Sequence, residues 1–176
     1  MADVRKGEVT MRGNPIDLVG PKLKPGDHAP DFSVVDEGLA TKTLKDTAGK
    51  VRLFSVVPSL DTPVCSTQTK TFADRLNALG DKVAAYTISL DLPFAMKRFC
   101  ADNQINNVTS LSDAHDHSFG EHYGVLIRGL PIPLLARAIF VVDASDTIRH
   151  VEIVPEIAQE PNYATALAAI SAAAGA

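Results

Sequence analysis

In the middle of this chain the spacing of apolar residues switches from strand to helix and back. Val51 to Val57 and Val83 to Leu90 are continuous apolar runs that read as buried strands. Between them, residues 63 to 79 read as a helix. Thr62 can serve as its N-cap, and Pro63 sits at the first helical position, which proline favours. Phe72, Leu76 and Leu79 place one face toward a core, and Gly80 is a natural stop. Strand, helix and strand in succession form a crossover unit with parallel pairing, so the chain is an α/β protein.

The flanks add antiparallel elements. Residues 8 to 19 read as a hairpin, with Val9 and Met11 alternating on one arm, Gly13-Asn14 as the turn, and Ile16 and Leu18 on the other arm. Phe32 to Val35 is a short strand and Val108 to Leu111 another. Ala138 to Val142 and Thr147 to Val154 flank a turn at Asp143 to Asp146. Asp91 can cap a helix beginning near Pro93, with Cys100 in its later turns. His117 to Tyr123 reads as a short helix ended by Gly124. A last helix begins near Pro161, with Tyr163, Leu167 and Ile170 as its inner stripe. The expected architecture is a mixed central sheet with helices on both faces.

The 176 residues are read as a single domain spanning 1–176. A domain of that size buries roughly 70% of its unfolded surface, so its core needs no covalent or metal staple. With 22% charged residues, scattered Lys and Arg, and a net charge of −4, the chain has no basic footprint for nucleic acid. The opening residues Met1 to Glu8 are charged and lack a signal peptide's apolar stretch. The longest apolar runs, such as Leu130 to Ala136, are too short for a bilayer and contain prolines. A soluble, cytoplasmic protein without membrane association is therefore expected.

There are two cysteines, Cys65 and Cys100. Neither has a close Cys or His neighbour of the kind a zinc site needs. His115-Asp116-His117 is the one histidine cluster, and it reads as a polar loop. No phosphate loop, nucleophile elbow or Cys-x-x-Cys is present. Two isolated thiols are either inert core residues or redox chemistry. Position separates them. If Thr62 is the cap, Cys65 is the third helical residue, where unpaired backbone N–H groups favour a thiolate. A hydroxyl three residues earlier can reach the sulfur. The plainer alternative is that Thr62 only caps and Cys65 only packs. Cys100, one turn after Met96, reads by itself as a core residue on a helix face.

Pro58-x-x-x-Thr62-x-x-Cys65 resembles the active-site motif of the peroxiredoxins, and Ser59 to Cys65 resembles their thiol peroxidase branch. Gly26 to Phe32 resembles the family's opening signature. Asp91 to Cys100 resembles the helix carrying the resolving cysteine, and Ala136 to Asp143 the strand bearing the active-site arginine. Asn106 to Asp113 and Tyr123 to Val125 fit as well, so the resemblance runs from about residue 8 to residue 172.

The resemblance implies a thioredoxin-like fold with an N-terminal β-hairpin, and a homodimer. It implies hydrogen peroxide and organic hydroperoxides as substrates. Cys65 would attack the peroxide, Thr62 would hydrogen-bond to it, Arg137 would hold the thiolate, and Pro58 would shield the pocket. Cys100 would resolve the sulfenic acid as an intrachain disulfide, through local rearrangement around both cysteines. Thioredoxin or a similar dithiol would restore the thiols, with no bound cofactor or metal. Phe94 and its neighbours on the second helix would favour alkyl chains. Two other readings stay open: a redox sensor or partner-binding protein using the same cysteine switch, and a peroxidase working through Cys65 alone.

Overall fold

The computed structural model describes residues 3–175. Among the described residues the strands are β1 (Val4–Met11), β2 (Asn14–Val19), β3 (Val34–Asp36), β4 (Thr41–Lys42), β5 (Val51–Val56), β6 (Val83–Ser89), β7 (Val108–Ser112), β8 (Leu126–Arg128), β9 (Ala138–Val142) and β10 (Ile148–Ile153). The α-helices are α1 (Pro63–Leu76), α2 (Pro93–Asp102), α3 (Ser118–His122) and α4 (Tyr163–Ala173).

The central sheet has seven strands in the order β10-β9-β5-β6-β7-β3-β4. β5, β6 and β7 are parallel, joined by the α1 and α2 crossovers. β9 and β10 on one side, and β3 and β4 on the other, are antiparallel. The strand period of two sends alternate residues to opposite layers. Val51 and Leu53 pack with Phe72 and Leu76 of α1 and Ile170 of α4. Phe54 and Val56 pack with Phe32, Phe119, Tyr123 and Phe140 on the other face. That face carries α3 and a separate three-stranded sheet, β1-β2-β8, rather than a full helical layer.

The expected mixed α/β sheet is therefore present, with several local differences. The N-terminal hairpin does not extend an edge of the main sheet. It starts at Val4 rather than residue 8 and pairs with β8, a strand the sequence reading missed along with β4. Its turn is centred on Arg12-Gly13, both at positive φ (51° and 79°), one residue earlier than expected. Such a pair of left-handed residues matches the twist of the flanking strands, and glycine takes it at no steric cost. The hairpin sits tightly on the body. A Cβ at Gly20 would come within 1.9 Å of the Glu121 carbonyl oxygen.

α1 stops at Leu76, and residues 77 to 82 form tighter 3-10 turns interrupted at Gly80, whose backbone is non-helical (φ 52°, ψ −134°). Leu79 still packs against the core, from beyond the helix end. The strand expected at Phe32 to Val35 runs Val34–Asp36. α2 is capped by the backbone of Leu92, because the Asp91 side chain is turned to other partners. In α4 the fully buried residues are Ala166 and Ile170, with Tyr163 and Leu167 only partly covered. No helix among the described residues is long and apolar enough to cross a membrane.

Candidate active site

The two central strands deliver the site. β5 is parallel to β6 and antiparallel to β9, so its carboxyl end meets the amino end of β9, with Val56 opposite Ala138. In parallel sheets the carboxyl ends of the strands are where reactive side chains gather. Here the chain leaving β5 turns through Pro58 to Thr62 into α1, and Arg137 immediately precedes β9.

The buried stripe of α1 is Cys65, Gln68, Thr69, Phe72, Ala73 and Leu76, spaced at three and four residues. Cys65 belongs to that stripe and is fully buried, among Val57, Leu60 and Met96. It is the third residue of the helix, as expected. Thr62 is the N-cap by backbone position, but its side chain makes no cap bond to the helix. Its hydroxyl lies 2.7 Å from Cys65 Sγ and 2.9 Å from the Ser59 carbonyl oxygen. A hydroxyl has one proton. With a thiolate it donates to sulfur; with a thiol it can donate to Ser59 and accept the S–H.

Arg137 reaches the same sulfur, with Nη2 3.3 Å from Cys65 Sγ. It is 2% exposed, and no carboxylate of the described residues lies within ion-pair distance of it. An uncompensated buried cation is costly, and its hydrogen-bonding partners here are the Cys65 sulfur, an amide oxygen and a backbone carbonyl. The other donors of Arg137 are fixed: Nη1 donates to Gln68 Oε1 at 2.8 Å and Nε to the Ile157 carbonyl at 2.9 Å. Gln68 is fully buried and donates through Nε2 to Ser55 Oγ at 2.7 Å. Gln68 and Ser55 extend the contacts of Arg137 away from the sulfur, an arrangement the sequence alone does not reveal. The available signal was the place of Gln68 one turn beyond Cys65 on the buried stripe.

Asp91 does not cap α2. Its carboxylate accepts from Ser59 Oγ (2.8 Å), Leu60 N (2.7 Å) and Ser89 Oγ (2.7 Å), so it ties the 58–62 loop to the end of β6.

Pro58 is buried and lines a cavity of about 510 Å³ in front of the site, with Thr62, Pro63, Val64, Leu134 and Arg137. Met11, Arg12 and Asn14 of the hairpin tip and Ile157 and Ala158 complete it. Phe94, expected to favour alkyl chains, is 67% exposed and does not line this cavity.

Cys100 lies elsewhere. Both thiols are free, and Cys100 packs in the helical layer with Phe72 and Ile105, whereas Cys65 packs with Val57 and Met96. Cys100 Sγ is 3.2 Å from Ser110 Oγ. Burial pushes its thiol up, against the opposing bond from Ser110, so it is held protonated at neutral pH. Thr62, Cys65, Arg137 and Pro58 are thus together, and Cys100 stands apart from them.

Comparison with known proteins agrees with this geometry. The Redoxin family model matches residues 24–167. A thiol peroxidase of Listeria monocytogenes is 51% identical over 162 residues, covering 92% of this chain and 96% of its own. A thiol peroxidase of Bacillus subtilis is 49% identical, covering 89% and 92% respectively. The crystal structure of a peroxiredoxin-like protein from Aquifex aeolicus superposes with a TM-score of 0.88 at 42% identity, covering 96% of this chain and 98% of that one. A fold that places a helix-start cysteine between a threonine and a buried arginine thus coincides with near-complete matches of one kind, and the chain belongs to the Redoxin family, among the thiol peroxidases of the peroxiredoxin superfamily.

Proposed function

We propose that this thiol-dependent peroxidase works through two cysteines, with Cys65 peroxidatic and Cys100 resolving. The observation that carries the reading is the buried sulfur of Cys65 held between the Thr62 hydroxyl at 2.7 Å and Arg137 Nη2 at 3.3 Å. The Cys65 thiolate attacks the terminal peroxide oxygen. The O–O bond breaks, its electron pair leaves on the alkoxide or hydroxide, and that oxygen takes up a proton. Arg137 and Thr62 stabilise the charge as it moves from sulfur to oxygen. Pro58 keeps water from the sulfur.

The Cys65 sulfenic acid then condenses with the Cys100 thiol, releasing water and forming one disulfide. Residues 58 to 62, the first turn of α1 and the Cys100 end of α2 rearrange to bring the sulfurs together, since each begins in its own apolar cluster. Two electrons and two protons from thioredoxin or a similar dithiol restore both thiols, and no bound cofactor or metal takes part. Such a cycle suits the cytoplasm, where dithiol reductants are maintained. Hydrogen peroxide and organic hydroperoxides are the substrates. A homodimer is part of the reading, supported by the exposed apolar side chains Leu92, Phe94 and Ile132 (59%, 67% and 62%).

Replacing Cys100 by Ser tests the cycle. Thioredoxin-driven turnover should collapse while one equivalent of peroxide is still consumed. Undiminished turnover would leave Cys65 acting alone, and slow peroxide consumption by the unaltered protein would favour a redox sensor.

A further inference from the structure

One wall of the cavity in front of Cys65 comes from the far end of the sequence, and a single carboxylate holds it. Glu156 accepts hydrogen bonds from the Thr10 hydroxyl (2.8 Å), Arg12 N (3.1 Å), Gly13 N (3.0 Å) and Ala158 N (3.2 Å). Two backbone bonds run beside it, from Thr10 N to the Pro155 carbonyl (2.7 Å) and from Ile157 N to the Thr10 carbonyl (3.0 Å). The N–H groups of the Arg12-Gly13 turn are thereby used, and Arg12 is held at φ 51°, a left-handed conformation unfavourable for a residue with a Cβ.

Met11, Arg12 and Asn14 of this tip line the cavity, as do Ile157 and Ala158, the two residues that follow the clamp, whereas Glu156 itself does not. The same segment touches the reactive site, because the Ile157 carbonyl accepts from Arg137 Nε at 2.9 Å. The backbone N–H of Gly13 and the Thr10 hydroxyl hold the Glu156 carboxyl down at about 2, so the clamp stays charged wherever a thiolate acts.

We infer that Glu156 is a positioning residue for hydroperoxide selectivity, fixing the hairpin tip as the wall against which the organic group of a bulky hydroperoxide packs. The inference rests on Cys65 being the sulfur that meets the peroxide. Hydrogen peroxide has no organic group to place against the wall, so the clamp matters chiefly for larger substrates.

The test is steady-state kinetics of the full chain with cumene hydroperoxide and with hydrogen peroxide, at a fixed concentration of dithiol reductant. Glu156→Gln keeps the side chain's size but turns an amide NH2 toward donors. It should lower the ratio of kcat/KM for cumene hydroperoxide over hydrogen peroxide about tenfold, mostly through KM for cumene hydroperoxide. Thr10→Val removes only the hydroxyl donor and should give a smaller fall in the same direction; it carries the test if Glu156→Gln does not fold. An equal loss with both substrates would mean that the clamp acts on Arg137 through Ile157. An unchanged ratio in both variants would mean that the tip holds its place without Glu156. Either result overturns the inference. Cys65→Ser, assayed alongside, separates the two layers: persistent turnover there removes the Cys65 reading itself, whereas an inactive Cys65→Ser with a flat ratio removes only the role of Glu156.

Discussion

Arg137 and Cys65 are 72 residues apart in sequence, and Nη2 of one lies 3.3 Å from Sγ of the other, with both residues buried. The guanidinium is anchored at its two other contacts by Gln68 and Ile157, so it cannot turn toward water when the sulfur's charge changes. Replacing Arg137 by Met should lower the second-order rate of peroxide reduction by about 10²–10³, the usual cost of losing one preorganised donor. Lys should not rescue it, because an ammonium lacks the fork that meets sulfur, amide and carbonyl together. Stopped-flow measurement with hydrogen peroxide checks this; a loss below about threefold would remove Arg137 from the reacting centre.

Thr62 should tolerate only another hydroxyl. Thr62→Ser keeps the donor 2.7 Å from the sulfur and should retain most of the rate. Thr62→Val has the same shape without the proton and should lose about 10²-fold or more. Equal rates for the two variants would mean that the site does not use the hydroxyl, and a faster Thr62→Val would mean that it uses the methyl group.

Asp91 fastens the 58–62 loop to the end of β6, and in the proposed cycle that loop has to open. Removing it as Asp91→Ala frees Ser59 Oγ, Leu60 N and Ser89 Oγ and should cost about 3 kcal/mol of stability, at roughly 1 kcal/mol for each of the three bonds. Easier opening should speed the disulfide step relative to further oxidation of Cys65. The fraction of Cys65 sulfinic acid formed under excess peroxide, read by mass spectrometry, should therefore fall. A rise would mean that the loop opens without Asp91 letting go.

Asp113 predicts a pH effect on stability that is separate from catalysis. It is fully buried, and burial pushes its carboxyl up from 3.8 to about 6, against opposing bonds from Gly120 N and Phe119 N. The native state therefore holds the proton more tightly than the unfolded chain does. That contribution is complete below about pH 4 and is lost as pH rises through about 6, up to about 3 kcal/mol. Asp113→Asn should be free of this loss. The difference in unfolding free energy between the two proteins should change between pH 4 and 7, and parallel curves would contradict the buried-acid account.

Much of the site is legible in the sequence because it is local. Pro63 marks the start of α1, which fixes Cys65 at its third position, and β5 and β9 declare themselves as apolar runs. What escaped reading depends on distant partners. Gln68 looks like an ordinary helix polar residue until Arg137 and Ser55 are brought to its two ends. Asp91 has the composition of a cap, yet its oxygens are taken by Ser59, Leu60 and Ser89, so the backbone of Leu92 begins α2 alone. The hairpin turn falls one residue early because Glu156, more than 140 residues away, binds the N–H groups of Arg12 and Gly13. The hydroxyl of Thr62 was legible because it is only three residues from Cys65; of the two roles the sequence allows it, it meets the sulfur and makes no cap bond.

The most direct measurement adds one equivalent of hydrogen peroxide to the fully reduced protein, follows the reaction by stopped flow, and maps the product by peptide mass. The account predicts a reaction far faster than that of a free thiol, ending in an intrachain Cys65–Cys100 disulfide that thioredoxin reduces. Reaction at the rate of a free thiol, or a product without that bridge, would contradict it.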